Sequence, residues 1–305
     1  MKVYKGFSDK GIKKYKRSIA IGIFDGVHRA HAKILRRALR DAKKLRARST
    51  FVTFHPHPQK VLSGNRKNTP ILMSLEHRLR TIAALGFDEA LVVPFTRAFS
   101  RMSAERFLCL LSEKMGMCSL AVGHDFRFGR RAEGDTGFLR QRAGRLGYRL
   151  HVCAPVRHAG RVISSTAIRA LIEKGRLKEA AALLGRPVSV YGTVVHGLGR
   201  GHHIGFPTAN LDPHHETLPP EAVYAVRGLL GRERLKGVLH IGRRPTFGEK
   251  EKTVEVHFLD LRRRLYGREI ELFFVRKLRP IRRFSGPESL SKAIRRDIRA
   301  ARRLL

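Results

Sequence analysis

Cysteine is scarce in this chain, and its spacing argues against two common structural roles. The 305 residues include three cysteines, Cys109, Cys118 and Cys153, and no two of them form a CxxC pair. An odd number without paired spacing argues against a disulfide scaffold and against a zinc knuckle. The same usage favours a reducing compartment, so we expect a cytoplasmic protein.

Long apolar runs are also lacking. No run approaches the roughly 18 residues that a transmembrane helix needs, and the N-terminal MKVYKGFSDKGIKKYKRS has no apolar stretch typical of a secretory signal. We therefore expect no membrane partner. The 42% hydrophobic content is enough for packed cores, and the length, at about 150 residues per domain, predicts two domains.

Acidic residues are few, and the chain is strongly basic. There are 25 Asp and Glu against 63 Lys and Arg, a formal charge of +38. The excess is spread over both halves, without a zinc finger, a heptad zipper or an aromatic RNA-binding signature. We expect non-specific polyanion binding and no specific nucleic-acid partner. Compositional drift toward arginine is the favoured explanation, and a field that steers polyphosphate substrates is the alternative. No oligomeric state is predicted.

The pattern of predicted secondary structure changes near residue 185. Before it, short β-rich runs alternate with helical stretches, which predicts a parallel α/β sheet. After it, strand-like runs are separated by Gly and Pro, which predicts a small antiparallel barrel or sandwich followed by a basic helix. The predicted strands are 18–24, 49–54, 89–95, 119–123 and 148–156 in the first half, and 189–195, 222–230, 236–242, 252–260 and 269–278 in the second, with 206–211 a sixth.

The first motif lies where a predicted strand runs into a predicted helix. Residues 22–31 read GIFDGVHRAH. The glycines allow a tight turn and close approach of a ligand, and the helix N-terminus suits phosphate. His28 and His31, three residues apart, can face the same side and stabilise charge during phosphoryl transfer. An ordinary turn with two surface histidines, or a metal site without a suitable third ligand, are the alternatives.

Three further segments of the first half have a similar placement. Residues 54–58 (FHPHP) end a strand, and their two prolines predict an extended backbone that is either a rigid apolar ledge able to seat a flat ring or merely a stiff strand exit. Residues 123–129 (GHDFRFG) follow another strand, where ligands gather in parallel sheets. Residues 163–169 (ISSTAIR) predict either a plain helix cap or a second phosphate clamp with Arg169.

The second half contains a glycine-rich segment that can fold over phosphates. Residues 197–210 read GLGRGHHIGFPTAN, and a strand rather than a helix follows Pro207, so this is not a dinucleotide fingerprint. Thr208 and Asn210 alternate onto one face of an extended segment, and both are oxygen donors suited to Mg²⁺. Glu255, between two valines, is a candidate general base; a solvent-facing residue on an edge strand is the alternative.

Together these motifs resemble the bacterial bifunctional riboflavin kinase/FAD synthetases. GIFDGVHRAH, TFHPHP, VGHDFRFG and ISSTAIR occur in that family's order, as do GLGRGHHIGFPTANL, AVYAV, HIGRRPTF, TVEVHFLDL, LYG and KLRPIRRF. The resemblance implies a Rossmann-like nucleotidyltransferase domain over 1–185. It also implies a six-stranded antiparallel β-barrel flavokinase domain over 186–305, ending in a helix. The implied activity is phosphorylation of riboflavin to FMN and adenylylation of FMN to FAD, with ATP as co-substrate and Mg²⁺ as cofactor.

The resemblance also implies the residues of each site. In the first domain, the implied catalytic residues are His28 and His31. The implied ATP-binding residues are Gly22, Phe24, Asp25, Gly26, Ser164, Ser165, Thr166 and Arg169. The implied flavin-binding residues are Phe54, Pro56, Pro58, Asp125 and Phe128. In the second domain, the implied catalytic base is Glu255. The implied ATP-binding residues are Gly199, Gly201, Gly205, Thr208 and Asn210. Of these, Thr208 and Asn210 would also hold Mg²⁺, and Arg279 would approach the flavin.

Three residues depart from the family pattern. Ala30 stands where the family has Gly between the two histidines, His202 replaces Arg or Lys, and Ala222 replaces Gly. If the family Gly at position 30 serves only to leave space, Ala30 weakens ATP binding; if it needs positive φ, the site is distorted. The alternative function is therefore a monofunctional riboflavin kinase with an impaired adenylyltransferase domain.

Overall fold

The chain folds into two compact units. The computed structural model describes residues 1–63, 70–196, 205–243, 252–261 and 263–305. The first unit comprises Met1–Thr69 and Leu75–Ser165, and the second comprises Pro70–Ser74 and Thr166–Leu305. Residues 166–185, which the sequence analysis assigned to the first domain, are thus grouped with the second unit. The domain boundary at 185/186 stays a prediction.

A six-stranded parallel sheet forms the centre of the first unit. Its strands are nearly continuous apolar runs, as expected for a sheet covered on both faces; β3 is buried from its second to its seventh residue. The spatial order is β1-β4-β3-β2-β5-β6. The strands are β1 Lys2–Lys5, β2 Arg17–Ile21, β3 Arg48–His55, β4 Glu89–Pro94, β5 Met117–Gly123 and β6 Arg149–Cys153, and a small hairpin, β7 Arg157–His158 and β8 Arg161–Val162, follows.

Helices link these parallel strands. The longest, α1, buries Ile34, Leu35 and Ala38 on one face and ends at Leu45, followed by the C-cap residue Arg46 in the left-handed conformation. Sequence analysis did not predict β1 or α3. The helices of this unit are α1 Arg29–Leu45, α2 Pro58–Leu62, α3 Leu75–Ala83, α4 Ala104–Glu113 and α5 Thr136–Ala143, with single turns of 3₁₀-helix at Phe99–Arg101 and Arg130–Ala132.

A buried ion pair joins the amino-terminal ends of the central strands. Arg17 on β2 is fully buried, and its Nε lies 2.6 Å from Glu89 Oε2 on β4. The same carboxylate accepts hydrogen bonds from Tyr4 Oη at 3.0 Å and Thr50 Oγ1 at 3.1 Å. Arg17 Nη1 donates to the carbonyl of Met115 at 2.9 Å. Both buried charges are therefore hydrogen-bonded, as burial requires.

The second unit begins with two helices and continues as a closed antiparallel barrel, confirming the predicted fold class. The helices are separated by Gly175 at φ 73°. The barrel order is β10-β13-β12-β11-β14-β9, and β10 pairs back with β9. The elements are α6 Ser165–Glu173, α7 Leu177–Leu184, β9 Ser189–Val195, β10 Ala209–Asp212, β11 Ala222–Leu230, β12 Glu233–Arg243, β13 Lys252–Phe258, β14 Glu269–Pro280 and α8 Pro287–Leu304.

Barrel closure depends on a close approach and on local irregularities. A Cβ at Gly192 of β9 would lie 2.1 Å from the carbonyl oxygen of Asp212 on β10, so only glycine fits there. The pairing of β11 with β14 shifts register twice, after Val223 and after Ala225, and such irregularities bend a strand and increase its twist. Helix α8 packs Ala301 into a small core with Val223 and Leu259 of the barrel.

Removal of the Glu89 carboxylate tests the buried ion pair. We expect Glu89→Ala to lower the free energy of unfolding by about 3 to 5 kcal/mol, because Arg17 is left charged, buried and without its partner. The control is Glu105→Ala, whose partly exposed pairs with Arg142 and Arg145 are worth about 1 kcal/mol or less. Calorimetric unfolding of both variants checks this, and equal losses would contradict it.

Candidate active sites

The turn after β2 lies where the strand order of the first sheet reverses. From β2 the neighbours run through β3 and β4 to β1 on one side, and through β5 to β6 on the other. Ligands of open parallel sheets bind outside the carboxyl ends of the strands at such a point. The predicted phosphate motif, 22–31, therefore lies in the expected place, and so does the segment that follows Gly123 at the end of β5.

This turn adopts a backbone that side chains other than glycine seldom adopt. Gly26 has φ 85°, and the non-glycine residues Phe24 and Val27 have φ 54° and 39°. Such residues cost about 1–3 kcal/mol each and persist only where their surroundings fix them. The fully buried Phe24 packs edge-on against His31 at 5.5 Å and against Phe51 at 6.3 Å. Gly22 is required beneath it, because a Cβ there would lie 2.9 Å from the Phe24 ring.

The two histidines of the motif lie together at the first turn of α1. His28 is the N-cap residue, and its Nδ1 accepts a hydrogen bond from the His31 backbone N–H at 3.3 Å. The imidazole rings stack with centroids 3.6 Å apart and an angle of 16° between their planes. Because Nδ1 accepts, the proton of neutral His28 lies on Nε2. His28 is thus held as a donor at a helix N-terminus, where anions bind.

The predicted clamp residues 164–169 fall on both sides of the division between the units. Ser164 and Ser165 are grouped with the first unit, where Ser165 Oγ donates to the Asp25 carbonyl at 2.8 Å. Thr166 and Arg169 are grouped with the second. There Arg169 donates to the Pro70 carbonyl at 2.9 Å and to Thr166 Oγ1 at 3.1 Å. Ser165 therefore helps to hold the turn formed by residues 22–28, called the motif turn below.

The predicted flavin-lining residues of the first unit differ in exposure. Phe54 and Phe128 are buried, with ring centroids 6.2 and 5.8 Å from that of Phe107. Pro56 and Asp125 are exposed. The expectation of an extended ledge through Pro58 is wrong: Pro58 begins helix α2, with His57 as its N-cap. The fixed φ of proline suits the first turn of a helix, since its missing N–H has no partner there.

In the barrel, three predicted residues lie at neighbouring positions. Asn210 of β10 is directly opposite Glu255 of β13, and on the other side of Glu255 lies His240 of β12. Thr208 is two residues before Asn210 and immediately precedes β10, so the expectation that the two side chains share a face stays a prediction. Because β13 pairs on both sides, Glu255 is not on an edge strand. Gly205 has φ 79°, whereas Gly199, Gly201 and the divergent His202 lie outside the described residues.

Three of these residues, Thr208, His240 and Glu255, line a cavity of about 540 Å³, whereas Asn210 is not among its lining residues. Thr208 and Glu255 form part of its polar wall, together with His240, His257 and Arg279. Side chains of the C-terminal segment supply much of its apolar wall, namely Ile281, Phe284, Leu290 and Ile294. A mostly apolar cavity of this size with a few convergent polar groups has the composition of a site for a ring-bearing small molecule.

Two histidines support the polar wall. His257 Nδ1 donates to the Pro207 carbonyl at 2.8 Å, which ties the segment before Thr208 to the strand that carries Glu255. Burial lowers the pKa of His240, while the charge of Glu255 opposes that shift. His240 is therefore expected to be neutral at pH 7.

An ion pair fixes the C-terminal helix on this cavity. Arg279 of β14 donates from Nε to both Asp297 carboxylate oxygens at 3.0 Å, and from Nη2 to Oδ2 at 2.9 Å. Asp297 lies on α8 and is buried. The Arg279 guanidinium also lies 5.4 Å from the Phe284 ring centroid. Arg279, predicted to approach the flavin, therefore both lines the cavity and holds the helix that closes it.

Sequence analysis missed the cavity wall of the C-terminal segment, although it predicted the helix. The spacing of Leu290 and Ile294, four residues apart on one helix face, was the available signal. It also missed Arg78, a buried residue of α3 whose Nη1 donates to the carbonyl of Ile23 in the motif turn. A single arginine in a basic helix carries no signal of burial.

The chain thus combines an α/β unit that has an anion-binding turn at its strand-order reversal with a barrel whose cavity carries the Glu255 carboxylate and the Thr208 hydroxyl, the arrangement of a two-part phosphotransfer enzyme. A family model described as FAD synthetase matches residues 12–167, and one described as riboflavin kinase matches residues 184–305. The chain belongs to the family of the bifunctional riboflavin kinase/FMN adenylyltransferases.

Individual relatives agree along nearly the whole chain. The bifunctional riboflavin kinase/FMN adenylyltransferase of Escherichia coli K12 is 37% identical over 286 residues, 93% of this chain and 91% of that protein. The Bacillus subtilis protein of the same name is 32% identical over 287 residues, 92% and 90% of the two chains. A crystal structure from Streptococcus pneumoniae, described as a macrolide-efflux protein, has a TM-score of 0.84 at 27% identity and covers 99% of both chains. In the described residues, no helix has the length and apolar character needed to cross a membrane.

The Arg279–Asp297 pair can be tested through the docking of α8. We expect Asp297→Ala to weaken docking by about 2 to 4 kcal/mol, because the partly buried Arg279 guanidinium is left without its carboxylate. Hydrogen exchange should then be faster at the amides of α8 than in the parent. Glu288→Ala, which removes an exposed carboxylate from the same helix, should leave that exchange unchanged, and equal acceleration in both variants would contradict the assignment.

Proposed function

We propose that this chain converts riboflavin to FMN in its barrel and FMN to FAD in its α/β unit, consuming ATP at each step. The observation that carries the proposal is the cavity in which Thr208 and Glu255 lie with an apolar wall large enough for an isoalloxazine ring. The stacked His28 and His31 at the N-terminus of α1 supply the second anion-binding site.

In the kinase step, the ribityl 5′-hydroxyl of riboflavin attacks the γ-phosphorus of ATP, and ADP leaves. Glu255 accepts the hydroxyl proton as the new O–P bond forms. Its place on a strand paired on both sides, between Asn210 and His240, holds the carboxylate in position. The apolar wall built by Ile281, Phe284 and α8 packs against the flavin and excludes water.

Mg²⁺ is the cofactor that the barrel residues fit. Thr208 and Asn210 offer neutral oxygens beside the Glu255 carboxylate, a donor set for a hard cation whose shell is completed by phosphate and water. The described residues contain no cluster of three His, Cys, Asp or Glu side chains that could hold a metal. When bound, Mg²⁺ neutralises charge on the ATP phosphates.

In the adenylyl transfer step, a phosphate oxygen of FMN attacks the α-phosphorus of ATP, and pyrophosphate leaves. His28 donates from Nε2 to a phosphate oxygen, and the N-terminus of α1 favours the negative charge. The chain does this by positioning and electrostatics, without a covalent intermediate. Ser165 contributes by fixing the Asp25 carbonyl beneath the turn.

The position of Ala30 removes one of the two reasons for the monofunctional alternative, the need for a positive φ at this residue. Ala30 lies in the first turn of α1, with helical dihedral angles rather than a positive φ. A helix accommodates alanine better than glycine. The turn does contain residues with positive φ, but they are Phe24, Gly26 and Val27, before the helix begins.

Substitution in either site should separate the two reactions. We expect Glu255→Ala to abolish FMN formation while FAD formation from supplied FMN is retained, because the carboxylate that accepts the hydroxyl proton is removed. We expect His28→Asn to lower FAD formation by about 100-fold or more while FMN formation is retained. Asparagine still caps α1, so the loss reports the imidazole. Chromatographic separation of the flavins measures both steps.

His28→Ala is the companion variant, since it removes the imidazole and the cap together. It should lose at least as much FAD formation as His28→Asn and, in addition, be less stable by about 0.5–2 kcal/mol. Equal loss of both reactions in the Glu255 or His28 variants would contradict two separate sites. Absence of FMN with the parent protein would refute the kinase itself.

Restoring glycine at position 30 tests the two accounts of that residue. We expect Ala30→Gly to leave FAD formation within about threefold of the parent and to lower stability by at most about 1 kcal/mol, because the position is helical. A parent that accumulates FMN and makes no FAD, together with an Ala30→Gly variant that does make FAD, would instead establish the monofunctional alternative.

A further inference from the structure

A buried arginine lies directly beneath the motif turn. Arg78 of α3 is 5% exposed, and its Nη1 donates to the backbone carbonyl of Ile23. In the part of the chain that the structure describes, its buried Nε has no hydrogen-bond partner. Neither feature is needed to pack α3 against the sheet, where an apolar side chain of similar length would fill the space without the cost of burying a charge.

The guanidinium keeps its charge in this position. Burial lowers the pKa of Arg78 to about 10, and the carboxylates of Asp25 and Glu76 oppose the shift. The group is therefore a cation at neutral pH. It interacts electrostatically with Asp25, a residue of the motif turn, and its positive charge adds to that of the nearby N-terminus of α1.

The carbonyl that Arg78 holds is also held from the sheet. Thr53 Oγ1 on β3 donates to the same Ile23 oxygen at 3.1 Å. Ile23 precedes Phe24 and Val27, the residues whose φ angles are positive. A turn with positive φ angles keeps its conformation only where contacts with neighbouring residues fix it. The hydrogen bonds from Arg78 and Thr53 to the Ile23 carbonyl fix the first residues of this turn.

We propose that Arg78 is a positioning residue for adenylyl transfer. It fixes the Ile23 carbonyl, and through it the turn that carries Asp25 and His28. Its buried charge makes the site favourable for the polyphosphate that gains negative charge as pyrophosphate leaves. This inference depends on the proposed adenylyltransferase activity. The substrate phosphates add negative charge to that of the Asp25 carboxylate, with which the buried guanidinium already interacts.

The test compares Arg78→Met, which keeps length and removes charge, with Arg78→Lys, which keeps charge and removes the planar fork. We expect Arg78→Met to lower kcat for FAD formation by about 10- to 100-fold, with the KM for ATP changed less than about threefold, and Arg78→Lys to recover part of the loss. Arg106→Met, an exposed arginine of α4, is the matched control and should behave as the parent.

The kinase reaction of the same preparation serves as the internal reference, and thermal unfolding reports the folded fraction. FMN formation should stay within about twofold in every variant. A folded Arg78→Met protein with the parental kcat would overturn the proposal. So would a loss that equals the unfolded fraction, which would mean a purely structural role. If the parent protein itself makes no FAD, the proposed adenylyl transfer is wrong, and that result is distinguishable from a wrong role for Arg78.

Discussion

The hydrogen bond from the His31 backbone N–H to His28 Nδ1 is the contact on which the first site depends. It begins helix α1, selects the Nε2–H form of His28 and brings the two imidazoles into a stack. The same turn is fixed from below by donors on the Ile23 carbonyl and by Ser165 on the Asp25 carbonyl. The His28 side chain therefore both caps the helix and offers a hydrogen-bond donor to a phosphate.

The barrel reaches a comparable result through strand register. Closure of six antiparallel strands sets Asn210 beside Glu255, and Glu255 beside His240. The C-terminal helix, held by the Arg279–Asp297 pair, then supplies the apolar wall of the cavity. A polar edge from three strands and an apolar wall from one segment suit a substrate that is a flat ring at one end and a hydroxyl chain at the other.

Much of this arrangement was predictable from the sequence, for physical reasons. Apolar runs bounded by turn residues predict strands from local sequence alone. The alternation of strands and helices in the first half and the six strands of the second half were therefore predicted correctly. What the sequence could not give was tertiary in origin. Pro58 suits a helix start as well as an extended ledge, and nothing in the local sequence decides between them. The burial of Arg78 and the pairing of Arg279 with Asp297 depend on elements distant in the chain.

The central claim is that one polypeptide makes two different phosphorus transfers to the same flavin. The most direct measurement follows label from ATP carrying radioactive phosphorus at either the α or the γ position, with riboflavin as acceptor. The account predicts label in FMN from the γ position alone, and label in FAD from both positions. FMN without γ label, or FAD that forms without α label, would contradict it.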